Sequence, residues 1–264
     1  MPVSRLTQPT IYAGVARLTV RISIYYINRQ FFGHFFQLRK KLGETMHSLY
    51  NFVSGPLAWV AFIIFIVGSL YRLIHLIVLV HKKEPFIYTY MSWKYSLRSI
   101  LHWLIPFGTT NWRRHPVLTL VTFAFHICLF VTPVFLLAHV ILWDEAFNVS
   151  WWSLPDGAAI FMTLIVIGAC VFFLVRRLKS PEVQYVTSAS DYVILAIVAA
   201  PFITGFLAYY QWFGYQTVTI LHILAGEIML IAIPFTRLSH MMISPLTRAY
   251  MGSEFGGVRH AKDW

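Results

Sequence analysis

Five of the eleven histidines lie in long apolar runs, where an ionisable side chain is costly and is therefore a candidate for function. His222 and His240 are eighteen residues apart in one such run, which is about five helical turns. The spacing predicts that both imidazoles leave one helix face, roughly 27 Å apart along the axis. Two more, His126 and His139, lie in an earlier run. An imidazole at this depth can relay protons, bond to a neighbouring helix or ligate a metal.

These four histidines are expected to form two pairs. If the two runs are antiparallel helices, His139 matches His222 in depth and His126 matches His240. Neutral imidazole is a common axial ligand of haem iron, and paired histidines inside a helical bundle are typical of a membrane b-type cytochrome. The pattern predicts two haems with these four residues as iron ligands. A lone histidine such as His75 is expected to hydrogen-bond to a neighbouring helix instead.

One angular difficulty affects the earlier run. Thirteen residues of an ideal helix turn through about 1300°, which leaves His126 and His139 about 140° away from a common face. Pro133 lies between them, and proline removes a backbone hydrogen bond and can kink a helix. We therefore expect a distortion near Pro133.

The composition identifies the elements that carry these residues. The 264 residues are 58% hydrophobic and 12% charged, with a mean hydropathy of +0.65, which excludes a soluble domain. Without the alternation of a β-barrel, long apolar runs in lipid must be helices. The sequence predicts an all-α integral membrane bundle of five transmembrane helices, near residues 55–80, 116–143, 156–175, 190–210 and 217–243.

The net charge of +11 is distributed unevenly between the loops. Lysine and arginine follow the first, third and fifth predicted helices, and neither is found after the second and fourth. The positive-inside rule predicts a multi-pass membrane protein with a cytoplasmic carboxyl terminus. Cys128 and Cys170 both lie in apolar runs and offer no iron–sulfur ligand set, so any such cluster is expected in a partner. Basic loops of a membrane chain favour lipid contact, and nucleic acid is not expected.

The basic residues 1–45 contradict this orientation, because they would lie on the outer side. Two interpretations stay open. The segment forms an amphipathic surface helix, or it is not native and Met46 is the natural start. In either case, residues 46–250 are expected to form the five-helix di-haem domain, followed by a cytoplasmic tail at residues 251–264.

Two further charged residues lie close to the histidines. Arg237 precedes His240 by three residues, where its guanidinium could pair with a haem propionate or anchor the helix at the interface. Glu227 lies well inside the fifth apolar run, which suggests proton handling or a neutral carboxyl that bonds to another helix. Asp191 follows two serines at the start of the fourth run and is expected to initiate that helix.

Several segments resemble the gamma subunit of respiratory nitrate reductase and its relatives, the membrane cytochrome b subunits of heterodisulfide reductase and of the Dsr sulfur-metabolism complex. They are RRLKSP at 176–181, TSASD at 187–191, HILAG at 222–226 and IPFTRLSH at 233–240. Phe125-His126 and Ala138-His139 match the family's two ligand positions in its second helix. The resemblance extends over about residues 55–250, and the interval between His126 and His139 is more similar to the sulfur-complex relatives.

The resemblance implies a function as well as ligands. His139 and His222 would hold an outer haem b, and His126 and His240 a cytoplasmic one. The chain would be the electron-transfer, quinol-oxidising subunit of an oxidoreductase complex in nitrate or sulfur-compound respiration, with menaquinol as its substrate. A cytoplasmic iron–sulfur subunit similar to heterodisulfide reductase would dock on the basic loop 82–114 and the tail, and other membrane or outer redox subunits would complete the complex. The competing interpretation is a haem-free helical transporter or membrane anchor.

Overall fold

A computed structural model describes residues 37–261, which are almost entirely helical and contain no β-strand. The described residues divide into two units, residues 37–52, which are helical, and residues 53–261. The predicted extension 1–45 falls outside the described residues as far as residue 36. The α-helices of the second unit are α1 Ala58–Lys83, α2 Ile87–Tyr90, α3 Trp93–Leu104, α4 Thr110–Arg114, α5 Pro116–Phe135, α6 Leu137–Phe147, α7 Asp156–Lys179, α8 Pro181–Val186, α9 Ala189–Tyr209, α10 Tyr215–Phe235 and α11 His240–Met251.

Five helical stretches in the described range are long and apolar enough to cross a membrane. This confirms the prediction of an all-α bundle with five transmembrane helices, and the chain is a multi-pass membrane protein. The stretches are Gln37–Lys83, Pro116–Phe135, Asp156–Lys179, Ala189–Tyr209 and Tyr215–Phe235.

The spanning helices of the second unit pack in an order that differs from their order in the chain. Helix α5 packs on α7, α7 on α9, α9 on α10, and α10 on α1. One apolar cluster joins α5, α7 and α9 and includes Phe125, Cys128, Val166, Cys170 and Phe202. Within the described chain, α5 and α10 share no extensive backbone contact, although both carry candidate histidines.

The second predicted helix is interrupted. Helix α5 ends at Phe135, Leu136 is extended with ψ 129°, and α6 begins at Leu137. Pro133 lies three residues before the break and has no N–H, so the helical hydrogen bond to the Leu129 carbonyl is missing in the last turns of α5. The prediction of one helix over residues 116–143 is therefore wrong, and the expected distortion near Pro133 is a complete break between His126 and His139.

The fifth predicted helix also ends early, at Phe235 rather than residue 243. Thr236 is extended, with φ −121° and ψ −172°, and its hydroxyl accepts a hydrogen bond from the Leu238 amide at the start of a short 3-10 turn, Arg237–Ser239. Pro234 in the last turn of α10 also weakens the helix there. His240 thus begins a separate helix, α11, and the prediction that it shares one helix with His222 is wrong.

Helix α11 packs on a platform formed by α3 and the segment Gly252–Val258. The helix and the following π-helical segment, Gly252–Val258, pack on α3, so part of the predicted tail is folded structure. The Ser96 hydroxyl bonds to the Ala249 carbonyl oxygen at 3.1 Å and to the Ser253 hydroxyl at 2.9 Å. Helix α3 and the segment lie so close together that a Cβ atom on Gly252 would stand 2.4 Å from the Ser99 Cβ.

Candidate functional site

The structure brings the four histidines together as two pairs. The ring centroids of His139 and His222 are 6.0 Å apart, with the ring planes at 14°. The centroids of His126 and His240 are 6.2 Å apart, with the planes at 85°. We call these the first pair and the second pair. In the described chain no hydrogen bond joins the two rings of either pair.

The Nδ1 atom of each of these rings lies within hydrogen-bond distance of a backbone carbonyl oxygen. For three of the rings the acceptor lies a few residues earlier in the chain. The Nδ1 atom of His126 faces Thr122 O, that of His139 faces Pro133 O and that of His240 faces Arg237 O, each at 2.8 Å. The fourth, His222, reaches across to Pro201 O of helix α9, at 2.9 Å. A carbonyl can only accept, so each Nδ1 donates a proton and each Nε2 is left as a lone-pair donor. Metal-bound histidines are oriented in the same way.

The position of His139 follows from the break after α5. Pro133 lies in the last turn of α5, where helical carbonyls lack a regular amide partner. The His139 ring uses this orphan carbonyl as its acceptor. The break therefore turns His139 out of the ideal helical register and at the same time supplies the group that orients its ring.

Helix α9 makes room for His222 through a glycine. A Cβ atom on Gly205 would lie 3.0 Å from His222 Cε1 and 3.2 Å from Nδ1, so any larger residue would push the ring away. The neighbouring Pro201 supplies the acceptor carbonyl. The sequence shows Gly205 only as one of several glycines in apolar helices, and its role depends on the packing of α9 against α10.

The centroid separations of 6.0 and 6.2 Å are close to the distance between two imidazoles that share one metal ion. With metal–nitrogen bonds of about 2.0–2.1 Å, an iron atom between two imidazoles separates their ring centroids by about 6.3 Å. In residues 37–261 no group of three or more histidine, cysteine or acidic side chains could hold a bare metal ion. Two ligands suffice for haem iron because the porphyrin supplies the other four. Gly226, one turn after His222, has no atom near its missing Cβ, so the helix surface beside this ring is open.

Glu227 is also buried in α10, with 6% of its surface exposed. Among the described residues neither carboxyl oxygen has a hydrogen-bond partner. A buried carboxylate without a partner is strongly disfavoured, which favours the neutral acid.

Arg237 contacts a carboxylate. Its Nη1 atom lies 2.6 Å from Asp191 Oδ1, and the Asp191 side chain is 4% exposed. Asp191 also caps α9: its Oδ2 accepts hydrogen bonds from the amide and the hydroxyl of Ser188, as expected for a residue that initiates the helix. The structure thus connects the start of α9 to the turn that precedes His240.

A curated protein of Nitratidesulfovibrio vulgaris is similar to this chain. The two are 36% identical over 211 residues, which cover 78% of this chain and 93% of the relative. The name of that relative, "Protein", states no function. No protein family model matches the chain.

Proposed function

The chain belongs to the same family as that Nitratidesulfovibrio vulgaris protein, and we propose that it is a membrane di-haem cytochrome b. The observation that carries the proposal is the geometry of the two histidine pairs. Both have ring centroids about 6 Å apart, and all four Nδ1 atoms are engaged with carbonyls. His139 and His222 would hold one haem b, and His126 and His240 the other. When bound, the haems would supply reversible one-electron transfer between the two sides of the membrane.

The protein's own contribution is to orient the four imidazoles before any ligand binds. The carbonyl partners fix the tautomer, with the proton on Nδ1, and restrict rotation of the rings. The break after α5 and the missing side chain at Gly205 place His139 and His222 opposite each other. Arg237 remains a candidate for contact with a haem propionate, and its contact with Asp191 positions the turn that carries it.

We further propose that the electrons come from a membrane quinol, with menaquinol as the expected substrate. Oxidation of a quinol to a quinone releases two electrons and two protons. Glu227 supports this proposal because it is a buried carboxyl with no described partner, on the helix that carries His222. It would hold a proton and exchange it as quinol is oxidised.

The complex that we infer includes a cytoplasmic iron–sulfur subunit similar to heterodisulfide reductase. It would accept electrons at the second pair, because His240 is exposed and follows the spanning helix α10. The resemblance to the nitrate reductase gamma and Dsr membrane subunits supports this assignment, together with an inner-membrane location and a cytoplasmic carboxyl terminus.

The experiment that tests the proposal is a pyridine haemochrome assay on the purified, detergent-solubilised chain. We expect about two b haems per polypeptide, and about one in each of the variants His222→Ala and His126→Ala. The matched control is His75→Ala, which removes an exposed histidine of α1 that belongs to neither pair and should leave both haems. A folded protein without haem would contradict the proposal and favour a haem-free transporter or anchor.

A further inference from the structure

A cleft of about 450 Å³ opens between the start of α5 and the end of α7. Its polar lining includes Arg114, Arg176 and Lys179, with His115 and Ser180 beside them. The cleft contains no acidic side chain. None of the four paired histidines lines it, and Arg114 is its one residue from the basic loop 82–114.

The cations of this cleft are uncompensated. The ion pairs in residues 37–261 involve other cations, namely Lys40, Arg237 and Arg259. The cleft also includes the amino-terminal end of α5, a helix of twenty residues, where unpaired amides and the helix dipole favour an anion. Three positive side chains and a helix end therefore converge on one small volume that lacks a counter-charge.

The rest of the lining is apolar. Val117 is 64% exposed and Val175 is 41% exposed, and Phe172 lies beside them. These residues belong to the first turn of α5 and the last turns of α7, both spanning helices, so the apolar wall continues from the cationic end towards the hydrocarbon. A free phosphate would need only the cations, and an acidic protein surface would leave the apolar wall exposed.

We propose that this cleft binds an anionic phospholipid, with its phosphate between Arg114, Arg176 and Lys179 and an acyl chain along Val117, Phe172 and Val175. A phosphodiester with an attached hydrocarbon chain matches both halves of the lining. Basic pockets between membrane helices select anionic headgroups through the same combination of charge and apolar surface. The proposal does not depend on haem.

The test is native mass spectrometry of the detergent-solubilised full chain, titrated with dioleoyl-phosphatidylglycerol. The double variant Arg176→Gln/Lys179→Gln should bind this lipid about twentyfold more weakly, because each cation near an anionic headgroup contributes about a factor of five. The matched control is Lys82→Gln/Lys83→Gln, which removes the same charge at the exposed end of α1 and should stay within about twofold of the natural chain. An unchanged far-UV circular dichroism spectrum and an unchanged elution volume in size-exclusion chromatography would show that both variants are folded.

Three outcomes would overturn the proposal. Dioleoyl-phosphatidylcholine that binds as tightly as phosphatidylglycerol would remove the selectivity for charge. If inorganic phosphate displaces the lipid at concentrations near the dissociation constant of phosphate for the chain, the cleft is a site for a free anion and not for a phospholipid. An unchanged lipid affinity in the cleft variant, with loss of a co-purifying acidic protein, would make the cleft a protein interface.

Discussion

The two histidine pairs are similar in spacing but differ in how the chain holds them. The first pair, His139 and His222, depends on the break after α5 and on contacts from α9 to the His222 ring. The second pair, His126 and His240, is oriented by carbonyls of neighbouring residues in the chain, and His240 is exposed. Tertiary packing therefore fixes His222 of the first pair, whereas nearby carbonyls in the chain orient both rings of the second pair and the platform carries α11.

This difference predicts that a change in packing can disturb one histidine pair and leave the other intact. A change in the packing of α9 on α10 should affect the first pair and leave the second intact. A change in the platform that α3 and Gly252–Val258 form for α11 should have the opposite effect. If the pairs hold two haems, each kind of change should alter one haem and leave the other as an internal control.

The largest effect is expected from Gly205→Val. The new side chain would overlap the His222 ring, since even a Cβ atom would lie 3.0 Å from Cε1. We expect one haem to be lost, with about one left per chain by pyridine haemochrome. Gly168→Val is the control, because Gly168 has open space beside it. Equal haem content in both variants would show that Gly205 does not position His222.

The next largest effect is expected from Pro133→Ala. An alanine at this position permits a continuous helix through Leu136, which would rotate His139 away from His222. In a continuous helix the carbonyl oxygen of residue 133 would also accept from the amide of residue 137, which weakens its hold on the His139 ring, so we expect partial occupancy, between one and two haems per chain. Pro116→Ala changes a proline at the first position of α5, where proline costs little, and should keep both haems.

A smaller effect is expected from Gly252→Ala. The added methyl group would lie 2.4 Å from Ser99 Cβ and 2.5 Å from the Tyr95 carbonyl oxygen, and overpacking of this kind costs about 1–3 kcal/mol. The thermal midpoint in detergent should fall, and loss of haem should be confined to the second pair. Gly157→Ala, where the space is open, should leave both quantities unchanged.

The smallest effect is expected for the pH dependence of stability, through Glu254 in the segment Gly252–Val258. A hydrogen bond from the Tyr250 hydroxyl, and next the Arg259 guanidinium, hold the pKa of Glu254 below its usual value of 4.5. The folded state thus favours the ionised carboxylate, and this stabilisation is present above about pH 4.5 and is lost as the pH falls below it. Thermal unfolding of the natural chain and of Glu254→Gln should differ at pH 7 and converge as the pH falls below 4.5. A constant difference at all pH values would contradict a role for the charge.

The sequence predicts the spanning helices more accurately than the site. The ends of α7 and α9 lie within a few residues of their predicted positions because apolar runs of membrane-spanning length leave few alternatives. Two of its errors, at Leu136 and Thr236, are breaks inside apolar runs that hydropathy does not detect. The residues Pro133 and Pro234 are the local signals, but a membrane helix often tolerates proline.

The pairing of the histidines was predicted on partly incorrect grounds. The predicted register assumes one continuous helix from His222 to His240, whereas the structure has a 3-10 turn before His240. His240 nevertheless lies beside His126. The contact of His222 with Pro201 and Gly205 joins two helices, and no pattern within either helix reveals it.

The buried cysteines have a practical consequence for mapping the topology. Cys128 and Cys170 are 4% and 5% exposed in the cluster between α5 and α7, and the sequence contains no other cysteine. A membrane-impermeant maleimide should therefore not label the folded chain, even though both native cysteines are still present. A single cysteine introduced at Lys83 or at Gln216 would then report directly, by labelling of intact cells, which end of the bundle faces the cytoplasm.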